Sequence, residues 1–333
     1  MTGHAGTTHE AATTDGTATS DREATTDGTA TTGRARSAAA RRTATALRRV
    51  ATGYARHRDR AGGTWRAYVS VTGPDGHPRE AVAEEPDTPV EAYSVNKIAV
   101  AVAVLDRVDR GLLALDQRIE VTEDLVVPGG DGIFALDGAW PSSVTLGHAL
   151  ATLLTVSDDT AVRLCGRLCP AADLNRVLRA RGLGHTQVRP VADPHRFHLG
   201  TSTARGTHDL LRALATGGLL AASSTAYLLG LLRSPVAFTD GIRREMSSAE
   251  RARVATKAGW YADGRHEAGI VFDRGGAPVL TYALFATGPT GADDVAATHP
   301  AVRARSRMGR PFLAAVDGLT GRAGGRPGAA AMS

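Results

Sequence analysis

The order of hydrophobic periodicities along the chain constrains its fold more than any other feature of the sequence. Alternation of apolar and polar residues through Trp65 to Val71, a Gly-Pro-Asp-Gly turn and a second extended run predict a β-hairpin. From Ser94 to about Glu250 the apolar spacing becomes helical, with glycine and proline between segments. Three extended stretches follow, "RVATKAG", "HEAGIVFDRGG" and "APVLTYALFATG", and a helical run from about His299 to Leu319 closes the pattern.

This order predicts an α/β (α+β) fold: a five-stranded, mostly antiparallel sheet with packed helices, plus an all-helical lobe formed by the insert. The domain would span residues 38–320, with the α/β lobe at 38–92 and 251–320 and the helical lobe at 93–250. Residues 1–37, in which "TTDGTAT" occurs twice, and residues 321–333 have little to bury. We therefore predict that both are disordered tails.

Composition excludes a membrane-spanning protein and leaves a globular one. The chain has 333 residues, 42% of them hydrophobic, which is enough for a large core. The longest central apolar run, Ile98 to Leu105, is far below the roughly 18 residues that a bilayer requires. The first residues lack the pattern of a secretory signal, so we expect a cytoplasmic protein. An extracytoplasmic location follows only if the true start lies elsewhere.

The net charge of +5 is concentrated in residues 34–60, which hold nine arginines and one acid, Asp59. Leu47, Val50 and Tyr54 recur there at helical spacing, which predicts an amphipathic helix. We favour a docked helix with a solvated arginine face over a nucleic-acid or membrane surface. The expected partner is a small-molecule amide or ester, with no nucleic acid, and the expected state is a monomer.

Cys165 and Cys169 are the only cysteines, and their spacing places both on one helical face. Such a pair is more often two small buried side chains than a disulfide or a metal site. The expected cofactors and metals are therefore none.

Lysine occurs only at Lys97 and Lys257, and all the other residues in the combined lysine and arginine total are arginine. Arginine keeps its proton in proteins, but a buried lysine can lose its own. Ser94 stands three residues before Lys97 at the start of an apolar helix, a spacing that places hydroxyl and amine on one face. A desolvated lysine can activate a serine as a nucleophile. The alternative is a helix-capping Ser94 and a surface Lys97.

Two further segments accompany this pair. "TVSDDTAV" places Ser157 in a break between predicted helices, and "ATKAGWY" places Lys257 where a strand should end. Together the three segments resemble the Ser-x-x-Lys, Ser-Asp-Asn and Lys-Thr-Gly motifs of class A serine β-lactamases and penicillin-binding proteins. The resemblance covers about residues 40–320 and keeps the family's order of motifs.

The resemblance implies a role for each matched residue. Ser94 would be the acylated nucleophile and Lys97 its activating partner. Ser157 would pass a proton to the leaving nitrogen, assisted by the field of Lys257. The oxyanion hole would use the backbone N–H groups of Ser94 and of Trp260, the residue after Gly259.

Two motif positions depart from the family. Asp159 replaces the Asn of the second motif, and a carboxylate only accepts hydrogen bonds. It would either face a substrate group that is a donor or a cation, or pair with Lys97. Ala258 replaces the Thr of the third motif, so a hydroxyl that would bind a substrate carboxylate is missing. Thr256 would face elsewhere if the segment is a strand.

The loop after the second motif, "VRPVADPHRFHLGTSTARG", contains no glutamate, whereas class A enzymes use one there to position the deacylating water. Asp193, His195 or His198 could serve as a substitute base, or all three could be polar residues of a surface loop. A metal pair in "HRFH" is disfavoured because no third ligand is evident. The resemblance therefore implies easy acylation and slow or differently driven deacylation.

Three functions remain open at this stage. The first is a β-lactamase-like serine hydrolase that cleaves an amide or ester through an acyl-enzyme on Ser94. The second is a cytoplasmic esterase, amidase or acyltransferase of small-molecule metabolism on the same fold. The third is a non-catalytic ligand binder.

Overall fold

A computed structural model describes the chain at residues 24–288, 294 and 296–320, with side chains from residue 34. The chain divides into two compact units, residues 1–41 and 42–333. The first helix, α1, begins at Ala24, so residues 24–37 are helical where the sequence predicted a tail. Alanine and arginine, which favour helix, are frequent from residue 34 on. The tail predictions for residues 1–23 and 321–333 lie outside the described residues.

The described residues form ten strands, ten α-helices and two 3₁₀ turns. The strands are β1 (Thr64–Thr72), β2 (Pro78–Glu84), β3 (Val90–Glu91), β4 (Arg118–Val121), β5 (Ser142–Thr145), β6 (Gln187–Pro190), β7 (Phe197–Ser202), β8 (Val254–Tyr261), β9 (Gly264–Phe272) and β10 (Pro278–Thr287). The α-helices are α1 (Ala24–Ala61), α2 (Lys97–Asp109), α3 (Phe134–Asp137), α4 (Leu146–Thr155), α5 (Asp159–Leu168), α6 (Ala171–Ala180), α7 (Ala204–Ala215), α8 (Ala222–Arg233), α9 (Ser248–Arg251) and α10 (Pro300–Thr320). The 3₁₀ turns are Tyr93–Asn96 and Glu123–Leu125.

The second unit is built on a five-stranded antiparallel sheet, which confirms the fold class predicted from the sequence. Its order is β2-β1-β10-β9-β8, so the N-terminal hairpin joins the last three strands through β1 and β10. Residues of β9 are buried along the whole strand, because both faces of the sheet are covered. Strand β8 lies at one edge of the sheet.

The prediction of an all-helical insert is wrong, because the segment between β2 and β8 contains not only helices but also five short strands. They form a three-stranded sheet, β3-β7-β6, and a two-stranded sheet, β4-β5. Each strand has only two to six residues. Runs this short do not show a readable alternation, which is why the sequence pattern predicted helices alone.

Two hydrophobic clusters cover the two faces of the main sheet. One contains Tyr282 of β10 with Val50 and Tyr54 of α1 and Phe312 of α10. The other contains Phe285 of β10 with side chains of α2 and the helices of the insert. The basic helix predicted over residues 34–60 is thus part of α1, and its apolar positions from Val50 to Tyr54 lie in the core.

Helix α2 is the central element of the second cluster. Its residues from Ile98 to Leu105 are all buried, which accounts for the longest central apolar run of the sequence. Cys165 and Cys169 are buried free thiols, as predicted. None of the described helices combines the length and apolar character that a membrane crossing requires.

Candidate active site

Ser94 lies in the 3₁₀ turn that leads directly into α2, here called the Ser94 turn. Tyr93 enters it with a φ of +48°, a left-handed conformation that is uncommon for a residue with a side chain. The side chain of Asn96 donates from Nδ2 to the carbonyl oxygens of Leu199 (2.5 Å) and Thr201 (3.2 Å) on β7. The Ser94 turn is therefore anchored to the three-stranded sheet of the insert.

The end of β8 lies against the Ser94 turn. A Cβ atom added at Gly259 would lie 2.8 Å from the backbone nitrogen of Ser94 and 2.9 Å from that of Val95, closer than side-chain carbons approach in proteins. Glycine is therefore what allows β8 and the turn to meet. Trp260, the next residue of β8, lines the same cleft as Ser94, and its ring lies 5.9 Å from that of Phe238.

Ser94 opens onto a cleft of about 600 Å³. The residue is 7% exposed, and its hydroxyl makes no hydrogen bond with any residue that the structure describes. The carboxyl-bearing residues that line the cleft are Glu91, Asp131 and Asp159, and the basic ones are Arg163, Arg189 and His198. A serine hydroxyl without a partner, at the wall of a cleft, is accessible to a substrate carbonyl.

The two lysines of the chain converge on the hydroxyl of Ser157. Lys97 Nζ donates to Ser157 Oγ over 3.1 Å and to the Ser157 carbonyl oxygen over 2.5 Å. Lys257 Nζ donates to the same Oγ over 3.0 Å and to the carbonyl oxygen of Ala258 over 2.9 Å. Both lysines are buried. Ser157 is thus hydrogen-bonded to both lysines, which connects three of the four predicted catalytic residues. No hydrogen bond joins Lys97 to Ser94.

Burial lowers the pKa of both lysines. For Lys97 the nearby carboxylates oppose this shift, Asp159 most strongly. For Lys257 the positive charge of Lys97 adds to the effect of burial and lowers the pKa well below 10.5. An amine with a lowered pKa can accept a proton at a lower pH than an exposed lysine can, which is the property required of a general base.

The second motif fixes the geometry around this pair. Ser157 has a φ of +58°, and such strained residues recur at functional sites. Asp158 is fully buried, and its Oδ1 accepts the Ala161 N–H at the start of α5 over 2.9 Å. Its Oδ2 accepts the N–H groups of Ile133 (2.7 Å) and Phe134 (2.9 Å). The Asp158 carboxylate thus caps the N-terminus of α5 and also fixes the loop before α3.

Asp159, the departure from the family's Asn, pairs with Lys97 over 2.7 Å from Nζ to Oδ1. Its Oδ2 accepts the backbone N–H of Asp131 over 3.0 Å, and its own N–H donates to the Asp131 carbonyl oxygen over 2.9 Å. Both carboxylate oxygens therefore have partners within the protein. Of the two alternatives that the sequence left open, the structure contains the pair with Lys97, although the Asp159 side chain remains 34% exposed in the cleft.

Ala258, the second departure, is buried and does not line the cleft. Thr256 donates its hydroxyl to Glu267 Oε1 over 2.8 Å. Glu267 is the strand partner of Ala258, so Thr256 and Ala258 share the face of β8 opposite to Lys257. The prediction that Thr256 faces away from the site is confirmed, and no hydroxyl of the third motif reaches the cleft.

The three proposed substitute bases differ in position. Asp193 and His195 are exposed, and Asp193 Oδ1 accepts the backbone N–H of His195 over 2.8 Å. Asp193 also pairs with Arg196 over 3.3 Å. Neither lines the cleft, whereas His198 on β7 does. The structure therefore brings only His198 into the same cleft as Ser94.

Asp131 is a cleft residue that the sequence did not single out. Its carboxylate makes no hydrogen bond or ion pair with the described residues, and burial together with the charge of Asp159 raises its pKa. The stretch "PGGDG" around it indicates only a loop. Nothing in that local pattern indicates that Asp131 lies in the same cleft as Ser94. Its position there depends on the hydrogen bonds that Asp158 and Asp159 make with the loop.

His266 on β9 is a second residue that sequence reasoning missed. Its ring stacks between those of Tyr93 (5.1 Å) and Phe285 (4.8 Å). The Ala286 N–H donates to Nδ1 over 3.2 Å, so Nε2 carries the proton and donates to the Glu91 carbonyl oxygen over 3.1 Å. Burial lowers the pKa of His266 to about 3. A neutral imidazole thus supports the chain just before Ser94.

The described residues contain no group of three or more His, Cys, Asp or Glu side chains placed to hold a metal ion. The hydrogen-bonded groups beside Ser94 are those of serine, lysine and aspartate. This donor set suits proton transfer and nucleophilic attack by a hydroxyl.

Comparison with known proteins places this geometry in a family. The model of the β-lactamase enzyme family matches residues 42–315. The chain belongs to this family. No curated protein matches the chain.

Solved structures give the same fold. A β-lactamase from Sphaerobacter thermophilus DSM 20745 is 22% identical, with a TM-score of 0.66 over 80% of this chain and 95% of that one. A β-lactamase from Chitinophaga pinensis DSM 2588 is 19% identical, with a TM-score of 0.67 over 82% and 98%. An ancestral class A β-lactamase, GNCA, is 22% identical, with a TM-score of 0.67 over 80% and 99%. At these identities the likeness establishes the fold.

Proposed function

We propose that the chain is a serine hydrolase that cleaves an amide of the β-lactam type, or an ester, through an acyl-enzyme on Ser94. The observation that carries the proposal is the shared hydroxyl of Ser157, which accepts from both buried lysines beside the cleft that Ser94 lines. Two amines with lowered pKa and one hydroxyl between them form a route along which a proton can move.

In the acylation step Ser94 Oγ attacks the substrate carbonyl carbon, and the bond from that carbon to the leaving nitrogen or oxygen breaks. The Ser94 proton passes to Lys97 in its deprotonated form. Ser157 gives its own proton to the leaving group and regains one from Lys97 across their 3.1 Å hydrogen bond. The net result is transfer of the Ser94 proton to the leaving group, so lysine and serine end the step unchanged.

Backbone N–H groups supply the stabilisation of the developing oxyanion in this proposal. The N–H groups of Ser94 and Trp260 are the proposed donors, and Gly259 supports them because it lets β8 approach the Ser94 turn without a side chain between. The adjacent lysines add positive field to the same region.

Deacylation is proposed to be slow. No glutamate lies between Val188 and Gly206, and of the residues Asp193, His195 and His198 only His198 lines the cleft. His198 is the base within this loop that we propose for activating a water. A long-lived acyl-enzyme would favour transfer of the acyl group to another acceptor, so acyl transfer is the second function we propose.

The test combines turnover with intact mass. The purified protein is mixed with a chromogenic cephalosporin, benzylpenicillin and p-nitrophenyl acetate, and colour and protein mass are followed over time. We expect an adduct on Ser94 that is lost in Ser94→Ala and kept in Ser143→Ala, an exposed serine outside the cleft. Absence of both turnover and adduct with all three reagents would exclude the catalytic proposal and leave a ligand binder.

A further inference from the structure

The loop that carries Asp131 is held more firmly than its sequence suggests. Asp159 bonds to both the N–H and the carbonyl oxygen of Asp131, and Asp158 accepts the N–H groups of Ile133 and Phe134. Gly132, with φ at +107°, lies so close to Asp158 that a Cβ atom there would be 2.2 Å from Oδ2. The second motif therefore fixes the position of Asp131 at the wall of the cleft.

No hydrogen bond or ion pair among the described residues holds the Asp131 carboxylate, although the charges of Lys97 and Lys257 lower its pKa against the effect of burial. The side chain is half-buried. The ammonium groups of Lys97 and Lys257 are bonded elsewhere, to Ser157, Asp159 and a carbonyl oxygen. Removing a charge from water without a partner costs free energy, and such arrangements are retained mainly where a ligand completes them.

The surroundings of Asp131 specify the missing partner. The lysines do not line the cleft, whereas Glu91, Asp131 and Asp159 do, together with Arg163, Arg189 and His198. The aromatic residues Tyr93, Trp260 and Tyr261 line it as well. A carboxylate without a partner, in a cleft that also holds aromatic residues, suits an organic ammonium group, which can be bound by ion pairing and cation–π attraction.

We propose that Asp131 is a specificity-determining residue that selects an acyl donor carrying an organic cation. This inference rests on the proposed acylation of Ser94, because the cation is recognised in the same cleft in which the acyl group is transferred. Asp159 holds Asp131 in place and contributes a second negative charge, while Asp131 supplies the carboxylate that is not committed to a lysine. Arg163 lines the same cleft one turn of α5 after Asp159, and its Nη1 donates to the carbonyl oxygens of Leu125 and Val126.

The test uses two penicillins that differ only by one ammonium group, ampicillin and benzylpenicillin. The second-order rate of Ser94 acylation is measured by intact mass for each. We expect the wild type to prefer ampicillin by roughly threefold to fivefold, the effect of one partly exposed ion pair. Asp131→Asn should abolish this preference, Asp131→Glu should keep part of it, and Asp116→Asn, an exposed carboxylate outside the cleft, should keep all of it.

Two outcomes of this experiment would overturn the inference. One is a wild type that reacts equally with both compounds. The other is an Asp131→Asn variant that slows both reactions by the same factor, because that result would make the carboxylate part of the proton transfer.

A binding measurement separates this inference from the proposed function. Benzyltrimethylammonium is titrated calorimetrically into Ser94→Ala protein with and without Asp131→Asn. Binding that depends on Asp131 supports the cation site even where no acyl-enzyme forms. Asp131-dependent binding together with no acyl-enzyme would contradict the proposed function and leave the cation site intact. An acyl-enzyme on Ser94 with no cation binding and no ampicillin preference would contradict the cation site and support the proposed function.

Discussion

Lys97 and Lys257 donate to the same oxygen, Ser157 Oγ, over 3.1 and 3.0 Å. Each is buried, and each has a pKa below its ordinary value, Lys257 partly because of the charge on Lys97. Two like charges around one hydroxyl destabilise a folded protein. We infer that this arrangement is kept for proton transfer at the expense of stability, as is common at active sites.

The first prediction follows from the cost in stability of placing two buried lysines around one hydroxyl. Lys257→Met removes a buried amine whose pKa is lowered, so we expect it to stabilise the fold by about 1–3 kcal/mol at pH 7 while acylation of Ser94 is lost. The unfolded chain binds the Lys257 proton more tightly than the folded one, so the cost in the wild type is greatest at neutral pH and fades as pH approaches 10.5. Urea unfolding at pH 7 and 9.5 measures both effects. A less stable variant at pH 7 would contradict the argument.

The second prediction concerns the replaced amide of the second motif. The Asp159 carboxylate raises the pKa of Lys97 against the effect of burial, so Asp159→Asn should lower that pKa further. The Asp159 carboxylate lies 2.7 Å from Lys97 Nζ, and it is the strongest of the interactions that favour the protonated lysine. The acidic limb of the pH–acylation profile, along which Lys97 loses its proton, should therefore move to lower pH, as measured with p-nitrophenyl acetate. An unmoved profile would show that Lys97 is not the group that limits acylation.

The third prediction concerns the approach of β8 to the Ser94 turn. Gly259→Ala would place a carbon 2.8 Å from a backbone nitrogen, so the strand must shift. We expect a loss of about 1–3 kcal/mol in unfolding free energy and acylation slowed by more than roughly a hundredfold. Gly230→Ala in α8, where an added Cβ meets nothing within 4 Å, is the matched control and should be neutral or stabilising by about 0.5–1 kcal/mol. Similar behaviour of the two variants would argue against the steric explanation.

The fourth prediction concerns the acid stability of the protein. Folded His266 has a pKa of about 3 and an ordinary histidine one of 6.5, so the stability from its neutral form is present above pH 6.5 and is lost as pH falls towards 3. Between pH 6.5 and 4.5 the loss is about 2–3 kcal/mol. His266→Gln does not titrate in this range and should show a shallower slope in denaturant unfolding at several pH values. Parallel slopes would mean that His266 takes up its proton equally in the folded and unfolded states, which would contradict the lowered pKa.

Much of the fold was readable from the sequence because it depends on local patterns. The alternation of apolar residues predicts the hairpin of β1 and β2, and the order of segments predicts the sheet. The facing of Thr256 away from Lys257 follows from the two-residue period of a strand. These features need only neighbours along the chain.

The remaining features depend on contacts across the chain, which one sequence does not display. Asp131 reaches the cleft through bonds to residues more than twenty positions away. His266 supports the backbone at Glu91 across 175 positions, and its own segment reads only as a strand. The rarity of lysine was the exception. Because the chain has lysine at only two positions, the sequence indicated that Lys97 and Lys257 belong to one site, which hydrophobic periodicity could not indicate.

That rarity, combined with the burial of both amines, makes the protein unusually suited to chemical mapping. An amine-directed label should leave Lys97 and Lys257 untouched in the folded state, so that labelling of either lysine reports opening of the site. Cleavage after lysine divides the chain into residues 1–97, 98–257 and 258–333. An acyl group on Ser94 therefore travels with the first fragment and one on Ser157 with the second, and a mass spectrum of three peptides identifies the nucleophile.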